Sequence, residues 1–242
     1  PCSWDDLPRR MKATLALENG TWYEGESAGA AGETGGEVVF NTAMTGYQEV
    51  LTDPSYSGQI VTMTCPEIGN YGVSDEDGES RGPRVAGFVI REQSPVASNW
   101  RADSTLRDYL VQNGIVAISD IDTRALTRVL RSTGVMRGII ATGDVDPRRL
   151  VEAARDVTPM EGSDLVRGVT CDAPFDWQPG TDTLDEFSPD PERRARRPLK
   201  IAAYDYGMKW NILRRFTAHG CAVRVFPADA PAADLLAAGP DG

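Results

Sequence analysis

The strongest constraint in this sequence is a change of pattern across a proline-studded stretch. Residues 166–198 hold Pro174, Pro179, Pro189, Pro191 and Pro198 and lose the apolar periodicity found on either side. Proline fixes φ and removes a backbone donor, so the stretch reads as a linker. It divides the chain into a longer first unit, residues 11–165, and a shorter second one, residues 199–242. The polar, charged residues 1–10, PCSWDDLPRR, have no apolar centre; they read as a tail outside the fold and not as a signal peptide.

The first unit is rich in strand-like runs. ATLALENGTWYEG, residues 13–25, places short apolar stretches on either side of Asn19-Gly20, a dipeptide that tolerates positive φ at both turn positions, and predicts a β-hairpin. EVVF, QIVTMT (59–64), VAGFVI (85–90), IVAIS (115–119) and RGIIAT (137–142) read as further strands. Asp103 or Ser104 is expected to cap a helix carrying Leu106, Tyr109 and Leu110 on one face. Asp122 is expected to cap a second, with Leu126, Val129 and Leu130 on one face and Gly134 at its end. Beyond the linker the grammar becomes strand (KIAAYDYG), helix (MKWNILRRFTAH), strand (CAVRVFP) and short helix (ADLLAAG), the opening of a doubly wound α/β sheet.

Composition removes several function classes. The formal net charge of −11 would repel nucleic acid and anionic membranes. Cys2, Cys65, Cys171 and Cys221 are scattered and His219 is the single histidine, so neither a disulfide framework nor a zinc site is expected, and a reducing cytoplasm is the simplest setting. No apolar run approaches the roughly 20 residues of a membrane helix.

Most short motifs have a plainer reading. Gly25-Glu26-Ser27-Ala28-Gly29 matches GxSxG, but a nucleophile elbow needs a helix after the serine, and a glycine-rich stretch follows here. DEDGE (75–79) places Gly78 too early for a calcium loop, so a solvated loop is expected. Asp120 and Asp122 could do acid–base work, but Asp122 is better explained as a cap. Gly207 alone does not make a dinucleotide turn, and Arg193, Arg194, Arg196 and Arg197 read as a solvated charge run. TGYQEVLTDPSYSGQ (45–59) is harder to dismiss. Thr45, Tyr47, Gln48, Ser55 and Tyr56 crowd hydrogen-bonding groups into a loop between strands, although Asp53-Pro54-Ser55 could simply build a turn.

That region belongs to a longer likeness. GEVVFNTAMTGYQEVLTDPSYSGQIV (36–61), ASNWRADSTLRDYL (97–110), GIVAISDIDTRALTRVLRSTGVMRGII (114–140) and IAAYDYGMKWNILRRF (201–216) resemble, in order, the small, glutamine-using subunit of carbamoyl phosphate synthetases. The resemblance implies an α/β (α+β) chain: a β-rich amino-terminal domain of swivelling type with covering helices, then the start of a class I glutamine amidotransferase domain, doubly wound and flavodoxin-like. It implies a large synthetase subunit as partner, and L-glutamine as substrate, attacked by a cysteine that a histidine and a glutamate assist. Released ammonia would pass to the large subunit, where ATP, Mg and bicarbonate serve carbamoyl phosphate formation for arginine or pyrimidine biosynthesis.

Ser55 matches the position that contacts glutamine from the amino-terminal domain. The catalytic residues are expected beyond residue 242, no cofactor or metal is expected in this subunit, and Cys221 is expected to be an apolar cysteine, not the nucleophile. On that reading the chain is a component of a ligase that does not itself hydrolyse glutamine. The alternative is a non-catalytic interaction module that only docks on a large partner. An independent flavodoxin-like binding protein would leave the 36–140 matches unexplained.

Overall fold

The computed structural model describes residues 11–178 and 197–242; the tail, Cys2, Arg193, Arg194 and Arg196 lie outside the described residues. Seven strands close into a barrel: β1 (Lys12–Leu17), β2 (Trp22–Ser27), β3 (Glu33–Asn41), β4 (Gln59–Met63), β6 (Gly87–Val89), β8 (Val116–Ser119) and β9 (Met136–Thr142). Their spatial order is β1-β2-β8-β6-β4-β3-β9, and β9 returns to pair with β1. β3, β4, β6 and β8 run parallel to one another, and the remaining pairings are antiparallel. A two-stranded ribbon, β5 (Glu67–Ile68) with β7 (Glu92–Gln93), lies outside the barrel.

The two-residue period of the strands sorts their side chains. Leu15, Leu17, Val38, Ile60, Val89, Ile118 and Ile140 share one buried cluster with Leu126 and Leu130, so helix α3 (Thr123–Thr133) plugs the barrel. The alternate residues Val61, Met63, Phe88 and Ala117 face α1 (Tyr47–Thr52) and α2 (Leu106–Gln112), through Tyr47, Leu51, Leu106 and Leu110. Ala16, Ile139 and Ala141 face α4 (Pro147–Asp156), through Leu150, Val151 and Ala154. Closure itself was not legible in the strand pattern, since it depends on which strands pair.

Several local expectations are corrected. The hairpin forms, with Leu15 opposite Tyr23, but Gly20 alone takes positive φ (93°); Asn19 instead accepts from Thr21 N–H at 2.9 Å. Helix α2 is capped by Thr105, whose hydroxyl accepts from Asp108 N–H at 3.1 Å, because Asp103 is committed to Asp75 N–H. Asp122 does cap α3, through Ala125 N–H at 2.9 Å. The 45–59 segment is no plain loop but helix α1 followed by a 3-10 turn over Pro54–Tyr56. Ser27 ends β2 and is buried; Gly25 and Gly29 pack so close to the backbone oxygens of Ser119 and Ile115 that no Cβ fits, which explains the GxSxG spacing by packing.

The second unit is a three-stranded sheet in the order β10-β12-β11. β11 (Lys200–Asp205) and β12 (Ala222–Pro227) are parallel, joined by α6 (Trp210–Ala218), and α7 (Ala232–Ala237) follows. β10 (Phe175–Asp176) pairs antiparallel with β12. It lies, with the one-turn helix α5 (Val166–Val169), inside the stretch read above as irregular linker. Cys221 is half-buried beside a small core of Cys171, Leu213, Val223 and Val225.

Candidate functional site at the seam between the two units

Ser55 stands on the 3-10 turn because Asp53 and Pro54 shape it. Proline at the first position supplies the required φ, and the Asp53 carboxylate accepts from Ser55 N–H at 2.9 Å. Tyr56 N–H closes the turn on Asp53 C=O at 3.0 Å. The Ser55 side chain is left exposed, and its hydroxyl has no hydrogen-bond partner among the described residues.

The other polar groups of the segment are already engaged. Tyr47, only 1% exposed, donates its hydroxyl to Gly72 C=O at 2.6 Å. Gln48 clamps the backbone of Ser74 at both its N–H and its C=O. Tyr56 accepts from Asn41 at 3.0 Å. Thr45 is exposed. Of the five candidates, three are therefore spent on structure, while Thr45 and Ser55 face outward.

The same turn touches the second unit. The buried Asp53 carboxylate that caps Ser55 also binds Lys209 Nζ at 2.7 Å with its other oxygen. This hydrogen bond leads in holding the Lys209 ammonium above the usual lysine range, against the cost of its partial burial. Gly207 sits in the turn after β11 at φ 93°, and a Cβ there would lie 3.2 Å from Pro54 Cβ and 3.0 Å from Val169. Only glycine combines that backbone conformation with that approach. The Asp205 carboxylate organises this turn by accepting from Gly207 and Met208 N–H at 3.0 and 2.9 Å.

The acidic loop holds the other half of the seam. Glu79, buried, accepts from Asn211 N–H at 2.8 Å through its carboxylate and from Trp210 N–H at 2.9 Å through its carbonyl. Helix α6 has no side-chain cap of its own, so an anion from the barrel satisfies its first-turn donors, where the helix dipole favours one. Arg214 reaches back to Glu76 and Gly78 carbonyls at 2.9 and 3.0 Å. Glu76 and Asp77 pair with Arg101 at 2.9 Å each, so DEDGE is a collar for α6 more than a solvated loop.

A cavity of about 60 Å³ remains in the seam, lined among others by Pro54, Arg84, Cys171, Asp205 and Trp210. It could hold a water or two but not an amino acid of glutamine's size. Cys171 is not poised as a nucleophile there: burial first, then the Asp205 charge, push its thiol up. Asp53 could have been suspected from the Asp-Pro-Ser turn signal. Lys209 and Glu79 gave no local sign, because their partners lie far away in sequence. The geometry offers an exposed serine, with no hydroxyl partner among the described residues, on a turn beside a charge-clamped joint.

A family model described as "Carbamoyl-phosphate synthase small chain, CPSase domain" matches residues 15–140. The chain is 53% identical over 232 residues to the carbamoyl phosphate synthase small chain of Syntrophotalea carbinolica, covering 96% of this chain and 61% of that one. The Synechococcus sp. small chain is 50% identical across all of this chain and 61% of its own length. The chloroplastic small chain of Oryza sativa subsp. japonica is 47% identical over 95% of this chain and 51% of its own. A solved aminopeptidase from Aneurinibacillus sp. strain AM-1 aligns at 11% identity with a TM-score of 0.34, too loosely to inform the fold; it covers 91% of this chain and 49% of that one. The chain thus spans about 60% of the length of the first of these relatives and belongs to the carbamoyl phosphate synthase small chain family.

Proposed function

We propose that this chain supplies the docking and glutamine-contacting part of a glutamine-hydrolysing carbamoyl phosphate synthase, a ligase component that works with a large synthetase subunit. The observation that carries the reading is the Ser55 turn. Its hydroxyl is exposed and unengaged, while its backbone is locked by a carboxylate that also grips the second unit. A serine hydroxyl can donate to the carboxylate of glutamine or accept from its ammonium. The second unit, with two parallel strands joined by α6, fits the opening of a flavodoxin-like amidotransferase domain, and the first fits the swivelling-type domain.

In this assembly ammonia released from glutamine reaches the large subunit, which holds ATP and Mg and forms carbamoyl phosphate in the cytoplasm. The nucleophilic cysteine and its histidine and glutamate partners belong to the portion of the relatives that this chain does not span. The test places Ser55→Ala in a small chain extended to the length of its relatives and assembled with the large subunit. Loss of one hydrogen bond to substrate should raise KM for glutamine roughly 2- to 10-fold, with synthesis from free ammonia unchanged. An unaltered KM would remove Ser55 from the glutamine site; equal loss of both activities would make its role structural.

A further inference from the structure

We propose that the outer face of α3 is a docking surface for a carboxylate-bearing face of a protein partner, which on the reading above is the large synthetase subunit. One side of this helix buries Leu126 and Leu130 in the barrel plug. The other presents Arg124, Arg128 and Arg131, at i, i+4 and i+7, as a single stripe about 10 Å long. All three are exposed, and Thr123–Thr133 contains no acidic residue.

The stripe differs from several other arginines of the first unit. Arg101 pairs with Glu76 and Asp77, Arg137 with Glu18 and Arg149 with Glu33, while Arg155 donates to Glu18 C=O. Arg124, Arg128 and Arg131 have neither an ion pair nor a hydrogen bond to any described residue. Within the chain only Arg131, in the last turn, gains from the helix dipole. Like charges four apart repel, and Arg124 sits in the first turn, at the positive end of the helix dipole. Carboxylates brought by a partner would reverse both penalties.

The surface has the chemistry of an interface. Arg128, Val129, Arg131 and Ser132 line a shallow depression of about 490 Å³, and Val135 just beyond is 56% exposed. Arginine is enriched at interfaces, and planar guanidinium groups suit carboxylates. The body charge of −11 repels extended polyanions at long range. A local cationic stripe on such a body therefore favours a local acidic patch, met within a Debye length, over a nucleic acid or an anionic membrane.

The test compares the wild-type chain with Arg124→Gln/Arg128→Gln/Arg131→Gln for binding to the cognate large subunit at low and high salt. Glutamine is a good helix former, and circular dichroism checks the fold. The triple variant should lose on the order of tenfold or more in affinity at low salt and show a flatter salt dependence. If it does not fold, Arg128→Glu alone should give the same direction of loss. Wild-type binding that the variants leave unchanged overturns the docking surface and spares the proposed function. No binding by the wild type overturns both. Stripe-dependent capture of phosphatidylserine vesicles or duplex RNA, with large-subunit binding unaffected, assigns the stripe to another class of partner and also overturns the proposal.

Discussion

The barrel and the second unit solve the same packing problem to different degrees. In the barrel every strand has two neighbours, and β1, β4 and β8 are buried along nearly all of their length. In the second unit β11 is half-exposed throughout, and Leu199, Tyr206 and Ile212 are 56%, 60% and 46% exposed. Among the described residues its core cluster holds four buried residues against thirteen in the barrel plug alone. The barrel closes on itself, whereas the second unit makes polar contacts across the seam: Asp53 to Lys209, Glu79 to α6 and Arg214 to the acidic loop.

The sharpest way to break that contrast is to empty each core in turn. Leu126 is fully buried in the plug, so Leu126→Ala should cost about 2–5 kcal/mol and lower the denaturation midpoint of the whole chain. Leu213→Ala, at 2% exposure in the smaller core, should instead release the second unit first and leave a barrel transition at its original midpoint. Amide hydrogen exchange separates the outcomes. Simultaneous loss of barrel protection in Leu213→Ala would show that the two units unfold as one.

Next in size is the joint itself. Asp53→Asn keeps the shape of the turn but removes the charge that meets Lys209, and should cost roughly 1–3 kcal/mol, read as faster exchange at Ser55–Ser57 and across α6. The pair also has a pH signature. Lys209 is held above its unfolded value by Asp53, so its contribution is complete below the ordinary lysine range and lost as pH rises through the elevated one. The wild type should therefore lose seam protection at alkaline pH earlier than barrel protection, and Asp53→Asn should lack that step. A variant that retains it would assign the titration elsewhere.

How much of this was legible depended on how local the cause was. The Asn19-Gly20 hairpin, the Asp122 cap and the strand–helix–strand run after Lys200 are written within a few residues of where they act, and each formed. The signal for α4 is equally local, Asp146 capping and Pro147 at the first turn, but its apolar face is too short to stand out in the sequence. Helix α1 hid because Tyr47 and Gln48 look like ligand-binding residues; their burial in hydrogen bonds to a segment 25 residues away decided otherwise. Closure of the barrel and the Glu79 cap on α6 are long-range facts. For Ser55, the turn could be read from Asp53 and Pro54, but the lock on Lys209 could not.

The smallest expected effect sharpens the comparison from within the seam. Glu49, on α1, has one carboxylate oxygen buried without a partner among the described residues. Burial raises its carboxyl above the ordinary glutamate range against the pull of its own N–H, with Asp77 and Glu79 adding to the rise and Arg101 opposing it. Folding thus disfavours the ionised form relative to the unfolded chain. The penalty is absent below the ordinary glutamate value, grows as pH rises toward the elevated one, and is complete above it. Glu49→Gln should therefore be slightly more stable than wild type at neutral pH and indistinguishable from it in mild acid, with the gain confined to midpoints that report on α1 and the acidic loop. Because Glu49 is only half-buried, solvent keeps the effect small. A loss of stability at neutral pH would mean that the charge is used, and that Arg101 outweighs the two neighbouring carboxylates.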